Sequence, residues 1–193
     1  MKKGLVLILA LMLMVGVASA QVELGVGGGI SKLTGDGNEM FKLGFNGRVT
    51  AFKSMGENLQ VGVMGAYNMF SVDEDEFVGM MAGMGADLSG IDYDFSGSVS
   101  VIEILPSVRY FMSPQFFLQA GGGLYMNKTS MEFEANINGM PYEMKEDESE
   151  SNVGVSLGAG FNMGNIGIAA FYNIIFTEDE STKYFTVNAM IGL

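Results

Sequence analysis

The strongest constraint on this chain is a period of two that recurs along most of its length. In its last eleven residues, Lys183 to Leu193, one face carries Phe185, Val187, Ala189, Ile191 and Leu193, and the other carries Thr186, Asn188 and Gly192. Alternation of this kind is the mark of a β-strand with two unlike faces. An apolar strand at the chain end would leave an unpaired edge open to other chains, so the pattern demands a partner strand.

Seven further segments alternate in the same way. They start near Val22, Phe41, Leu59, Ser98, Phe116, Val153 and Ile166, and run to about Ser31, Phe52, Val72, Met112, Thr129, Asn162 and Phe176. Pro106 lies within the fourth; because proline cannot donate to a ladder, a bulge is expected there. The connections also alternate in kind. The second, fourth and sixth are short turns: Ser54 to Asn58, Ser113-Pro114-Gln115 and Met163-Gly164-Asn165. The other four are acidic, with two long excursions at about Asp73 to Ser96 and Ser130 to Ser151. Short turns at one rim and longer loops at the other are the plan of an outer-membrane barrel. The expected fold is therefore all-β: an eight-stranded antiparallel up-and-down transmembrane β-barrel.

Which face meets lipid decides between this fold and a soluble barrel of the lipocalin kind. The non-apolar faces hold mainly Gly, Ser, Asn, Thr and Gln. A water-facing surface usually carries about a quarter to a third charged residues, so these faces suit a narrow interior better. Aromatic residues at strand ends, namely Phe41, Tyr110, Phe116, Phe161, Phe176 and Phe185, are expected in girdles at the lipid boundary. On this arrangement the last strand closes against the first.

Residues 1–20 have the layout of a secretory signal: Lys2 and Lys3, an apolar run from Leu5 to Val17, then Ala18-Ser19-Ala20. The run is shorter than the roughly 20 residues a spanning helix needs. Cleavage would leave a barrel domain over residues 21–193. Removing the two signal lysines leaves 8 basic and 22 acidic residues, a net charge of −14, which argues against a nucleic-acid partner. There is no cysteine and no histidine. Without cysteine there are no disulfides and no thiolate chemistry, and without histidine there is no side chain that exchanges protons near neutral pH as a general base. No catalysis, cofactor or metal site is expected. The run Gly121 to Thr129 resembles a phosphate loop but has Asn127 before Lys128 and lies on a strand; Gly25 to Gly29 lacks a strand-turn-helix context.

The signal segment, the eight alternating segments and the terminal Tyr184-Phe-Thr-Val-Asn-Ala-Met-Ile-Gly-Leu193 together resemble the small outer-membrane β-barrel family, which includes outer-membrane proteins X and W and the barrel domain of outer-membrane protein A. The resemblance covers the whole mature chain. It implies residence in the outer membrane of a diderm bacterium, contact with outer-membrane lipid, a monomer, and a final strand, Tyr184 to Leu193, read by the barrel-assembly machinery. Family members usually end in an aromatic residue; here Leu193 stands instead.

Two groups of candidate site residues follow. Glu23, Lys42, Arg48, Glu103 and Arg109 are expected inside the barrel as an ion-pair network, since charges in so narrow a space must be paired or wetted; the alternative is an ion path with the arginines as its constriction. Phe77, Met80, Met81 and Met84 lie in the Met-Gly run Phe77 to Gly85, an adaptable apolar surface that either extends the hairpin or covers the barrel mouth, or receives a hydrophobic molecule. The acidic loops lack the ligand spacing of a calcium loop and are expected as a solvated rim; the alternative is weak bridging by divalent cations to anionic surface lipid. The function expected is a structural or surface-interaction role through acidic extracellular loops, with an unidentified loop partner. The alternative is a narrow porin-like channel for ions or small hydrophobic solutes.

Overall fold

The computed structural model describes residues 22–35, 38–83, 92–137, 140–177 and 181–193; the segment expected to be a secretory signal lies outside them. Eight antiparallel strands pair in chain order and close on themselves. They are β1 (Val22–Thr34), β2 (Gly44–Ser54), β3 (Leu59–Ser71), β4 (Asp92–Phe111), β5 (Phe116–Ile137), β6 (Met140–Met163), β7 (Ile166–Phe176) and β8 (Ser181–Gly192). One helix, α1 (Glu74–Gly83), follows β3, and a short 3-10 turn, Asn38–Met40, follows β1.

The closing seam pairs β1 with β8 from Gly25↔Gly192 to Thr34↔Lys183. Even the last amide is used: Leu193 N donates to Leu24 O at 2.8 Å. Val26 faces Ile191 and Ile30 faces Val187 on the outer side, as the terminal alternation requires. Following inward-facing partners around the ring, Glu23 leads through Phe52, Gly62, Ser107, Gly121, Ser156, Asn173 and Tyr184 to Leu33, a stagger of ten residues along β1. With about 3.3 Å per residue and about 4.8 Å between strands, ten residues over eight strands correspond to a tilt of about 40°, within the usual barrel range.

Register is constant along every pair, and Pro106 does not introduce a bulge. It pairs with Val63 of β3, while the β4–β5 ladder skips from Ile104↔Leu124 to Ser107↔Gly121 without a shift. Proline faces outward, and its missing donor costs a local gap in the ladder rather than an extra residue.

The outer surface is apolar: Leu24, Val49, Ile104, Leu118, Leu157 and Ile168 are all exposed. Buried positions alternate with these and include Asn46, Arg48, Asn68, Glu103 and Asn173. That polarity excludes a water-soluble barrel, because a soluble protein rarely exposes so large an apolar surface. Along β5 the apolar face runs from Phe116 to Met126, about 25 Å of height at the tilt above, which matches the lipid-facing band of such barrels. Tyr110, Phe116, Phe161, Phe176 and Phe185 are exposed as girdle residues should be. Phe41 is not among them: it precedes β2, packs on the interior cluster, and its carbonyl accepts from Lys32 Nζ at 2.7 Å.

The interior is fuller and more apolar than the small and polar residues suggest. Phe52, Met64, Phe70, Leu105, Phe117, Tyr125, Phe171, Ile175 and Tyr184 are all buried. Inward glycines on neighbouring strands make the room. A Cβ at Gly160 would strike the Phe117 ring, one at Gly158 the Phe171 ring, and one at Gly154 would lie 2.7 Å from Tyr125 Cε2. Glycine also permits the tight β6–β7 turn, where Gly164 has φ of 66°.

Both long excursions are more regular than their acidity suggests. Between β3 and β4 the chain forms α1 and then enters β4 at Asp92, and Ser130 to Ser151 forms paired strand up to Ile137↔Met140. Gly160→Ala should lower stability by about 1–3 kcal/mol through overpacking, read by urea unfolding in detergent. Combined with Phe117→Leu, the loss should be less than the sum of the two single losses; strict additivity would show that the ring does not occupy this space.

Candidate functional site

Two layers of polar side chains cross the lumen. The lower one centres on Arg109 of β4, whose guanidinium lies between two aromatic rings, 4.2 Å from the centroid of Phe52 and 4.5 Å from that of Phe117. Its Nε and Nη2 donate to Gln119 Oε1 at 3.2 and 3.1 Å, and Nη1 donates to Gln60 Oε1 at 3.4 Å. Gln60 Nε2 in turn donates to Glu23 Oε2 at 2.7 Å. A planar, delocalised cation is suited to stacking and forked hydrogen bonding at once.

The upper layer centres on Glu103, fully buried on β4. Its Oε1 accepts from Tyr184 Oη at 2.5 Å and from Asn68 Nδ2 at 2.6 Å. The chain of bonds continues, with Ser31 Oγ donating to Asn68 Oδ1 at 3.0 Å and Asn46 Nδ2 donating to Ser31 Oγ at 2.9 Å. Arg48 lies beside this network, stacked 3.9 Å from the Phe171 centroid, with Nη2 donating to Thr186 Oγ1 at 3.5 Å.

The structure thus buries Arg48, Glu103 and Arg109 in the lumen and leaves Glu23 exposed at its inner mouth, and joins none of them in a direct ion pair. Among the described residues, no ion pair within 4.0 Å involves any of the four. Aromatic faces and neutral amides or hydroxyls separate the charges. Lys42 is not in the lumen: β2 begins at Gly44, and Lys42 sits at the outer rim, 4.0 Å from Asp73 Oδ1. Sequence reasoning missed the partners, Tyr184, Asn68, Gln60 and Gln119. Their inward parity was visible, but strand pairing alone sets them within reach of the charges.

A cavity of about 920 Å³ opens at the outer mouth, between Leu33, Phe41, Val101, Glu148 and Lys183 among others. A second of about 430 Å³ lies at the inner mouth beside Glu23, Arg109 and Phe117. Between them Arg48, Met64, Leu105, Tyr125 and Phe171 are buried to 2% exposure or less, so the middle of the barrel is packed with side chains.

Above the lipid band the outward faces change chemistry together. Ile102 gives way to Ser100 on β4, Met126 to Lys128 on β5, and Val153 to Ser151 on β6. Beyond this line β4, β5 and β6 continue as a three-stranded sheet. On β5 alone it adds the ten residues Lys128–Ile137, about 34 Å of strand. Its outward face is polar and cross-linked: Glu132 pairs with Lys145 at 3.5 Å and Asp147 with Lys128 at 3.6 Å, and Ser130 Oγ donates to Asp147 Oδ1 at 2.6 Å. The Ser130 hydroxyl, then Lys128, holds the Asp147 carboxyl below its usual range; a depressed folded value means that this contact supports the sheet at neutral pH and is lost as pH falls through that value. Glu132, Glu134 and Glu143 bring carboxylate oxygens within 4.8 Å of one another on the same face, with Lys145 already partnering Glu132.

The inner face of this sheet is mostly apolar on β4, on β5 and at the tip of β6, and carries Glu146, Glu148 and Glu150 further down β6. Tyr93 stacks on Phe133 with centroids 6.4 Å apart, and Phe133 meets Tyr142 edge-on at 6.5 Å. Phe77 of α1 stacks on Phe95 at 4.0 Å, with planes 3° apart. The described part of the Met-Gly run, Phe77 to Gly83, is helical and does not extend the hairpin. Phe77 and Met81 are half-buried, Met80 is exposed, and Met84 lies outside the described residues.

The sequence from residue 4 to 192 matches the family described as outer membrane protein beta-barrel domain. The chain belongs to this family. Its members' place is the bacterial outer membrane, in agreement with the lipid-facing band. Compared with curated proteins the chain has no match. Among solved structures it is similar to a major outer membrane protein from Thermus thermophilus, with 12% identity and a TM-score of 0.59, covering 90% of this chain and 100% of that one. It is also similar to Ail, the attachment invasion locus protein of Yersinia pestis, in complex with the heparin analogue sucrose octasulfate, with 13% identity, a TM-score of 0.55, and coverage of 89% and 97%. At these identities the likeness is one of fold.

Within this barrel, Arg109 is held as much by stacking as by charge. Arg109→Lys should therefore lose nearly as much stability as Arg109→Ala, measured as the temperature at which the compact band disappears in heat-modifiable gel electrophoresis. A lysine variant as stable as the parent would contradict the stacked geometry.

Proposed function

We propose that this outer-membrane barrel neither conducts nor catalyses, and that it acts at the cell surface as a recognition protein through the sheet that β4, β5 and β6 raise above the membrane. The packed middle of the lumen carries this reading. A conducting path needs a continuous wet route, whereas here two mouth cavities are separated by fully buried side chains, Arg48, Met64, Leu105 and Phe171 among them. The absence of histidine supports the lack of catalysis. The raised sheet supports a role outside the membrane, since three strands paired well beyond the lipid band contribute nothing to spanning it. Insertion through the C-terminal strand, Tyr184 to Leu193, by the assembly machinery is part of this proposal.

The sheet's charge bears on what it recognises. It carries Asp92, Asp94, Glu132, Glu134, Glu143, Glu146, Asp147, Glu148 and Glu150 against Lys128 and Lys145, nine acidic residues to two basic and a net charge of −7. A sulfated polyanion such as the one bound to Ail would be repelled here.

In planar bilayers the refolded protein should give no regular conductance steps, and bacteria displaying it should attach to protein-coated surfaces more than bacteria displaying a variant whose β5–β6 hairpin is shortened to the lipid boundary. Uniform ohmic steps would favour the narrow channel. Equal attachment by both strains would remove the surface role.

A further inference from the structure

The inner face of the raised sheet combines two features that belong together in recognition. Near the tip lies the aromatic and methionine patch formed by Tyr93, Phe133, Tyr142 and Met144, of which Tyr142 and Met144 remain 51% and 49% exposed. Below it on the same face of β6 follow Glu146, Glu148 and Glu150, each two residues from the next. Alternate residues of a strand stand about 7 Å apart on one face. The last two of these carboxylates line the mouth cavity of about 920 Å³, whose floor includes the apolar Leu33, Phe41, Val99 and Val101. Patch, carboxylate row and cavity form one continuous track from the sheet tip to the barrel mouth.

We propose that this track binds an extended basic, amphipathic segment of a partner protein, with lysine or arginine at alternate positions along the Glu146–Glu148–Glu150 row and apolar side chains on the Tyr142–Met144 patch. The proposal rests on the surface-recognition reading and names its partner's chemistry. Charge chooses between occupants. A second copy of this chain would bring another net −7 sheet against the first, and anionic lipid or polysaccharide would meet the same repulsion. A neutral apolar segment would cover the patch but leave three carboxylates to be desolvated without partners, which costs free energy. A basic segment satisfies both parts. The period of two in the carboxylate row matches an extended chain and not a helix, whose neighbouring faces repeat at three and four residues.

The test uses the full barrel in nanodiscs of zwitterionic lipid, titrated with a peptide alternating lysine and leucine, with its glutamate-for-lysine counterpart, and with sucrose octasulfate. Binding is read by calorimetry at two salt concentrations. The lysine peptide should bind, more weakly at high salt, and the two anionic probes should not. Tyr142→Ser with Met144→Ser, and separately Glu146→Gln with Glu148→Gln and Glu150→Gln, should each weaken binding by about tenfold or more, while heat-modifiable mobility shows the barrel intact. Equal or better binding of an anionic probe, lost with the hairpin, would overturn the basic-partner proposal and leave surface recognition standing. Binding that survives the Tyr142 and Met144 substitutions unchanged would overturn it too, by reducing the contact to simple charge adsorption.

Discussion

Everything in this molecule depends on the need to pair every backbone N–H and C=O inside lipid. Water is absent there, and each unpaired group costs several kcal/mol. An open sheet is therefore not viable, and β8 must return to β1. The seam does this over ten residue pairs, Gly25↔Gly192 to Thr34↔Lys183, with the final amide of Leu193 capping Leu24. The stagger of ten residues then sets the tilt, the tilt sets the narrowness of the lumen, and that narrowness decides what the interior can hold.

A narrow lumen with polar walls has to be filled. Large side chains do so only because glycines beside them yield their space, as Gly160 does for Phe117 and Gly158 for Phe171. The buried charges follow the same logic. Arg48 and Arg109 are accommodated by aromatic faces and neutral acceptors, and Glu103 by Tyr184 and Asn68. Held in this way, they bind the strands of opposite walls together across the barrel. With its interior committed to packing, the barrel keeps its free chemistry above the lipid, on the sheet of β4 to β6.

Much of this was legible in the alternation. The faces of Val22 to Ile30, of Leu59 to Met69 and of Ile166 to Phe176 fall as their parity requires, and the terminal strand meets the strand its pattern demanded. Two things were hidden for physical reasons. The interior aromatics share parity with Gly, Ser and Asn, so averaging over a face conceals them, and pairing register decides which glycine sits beside which ring. The stretch Ser130 to Ser151 looked like a loop because glutamate and aspartate are poor strand formers. Its alternation persists with the polarity inverted near the tip, serine and charge outward and Phe133, Tyr142 and Met144 inward, while lower on β6 the inward positions Glu146, Glu148 and Glu150 are charged as well. Lys42 misled in the opposite way, since its parity suits an inward position only if β2 begins earlier than Gly44.

The inversion of polarity at one height on three adjacent strands is the central claim, and it can be measured directly. The chain has no cysteine, so single cysteines at the outward positions of β5, from Leu118 through Leu124, Met126, Lys128, Ser130 and Glu132, can each carry a nitroxide in a lipid bilayer. Collision with oxygen against collision with a water-soluble nickel complex reports lipid or water at each site. Lipid exposure through Met126 and water exposure from Lys128 onward is the expected result. Lipid exposure that continues to Glu132, or water exposure already at Leu124, would contradict a sheet raised above the membrane at this line.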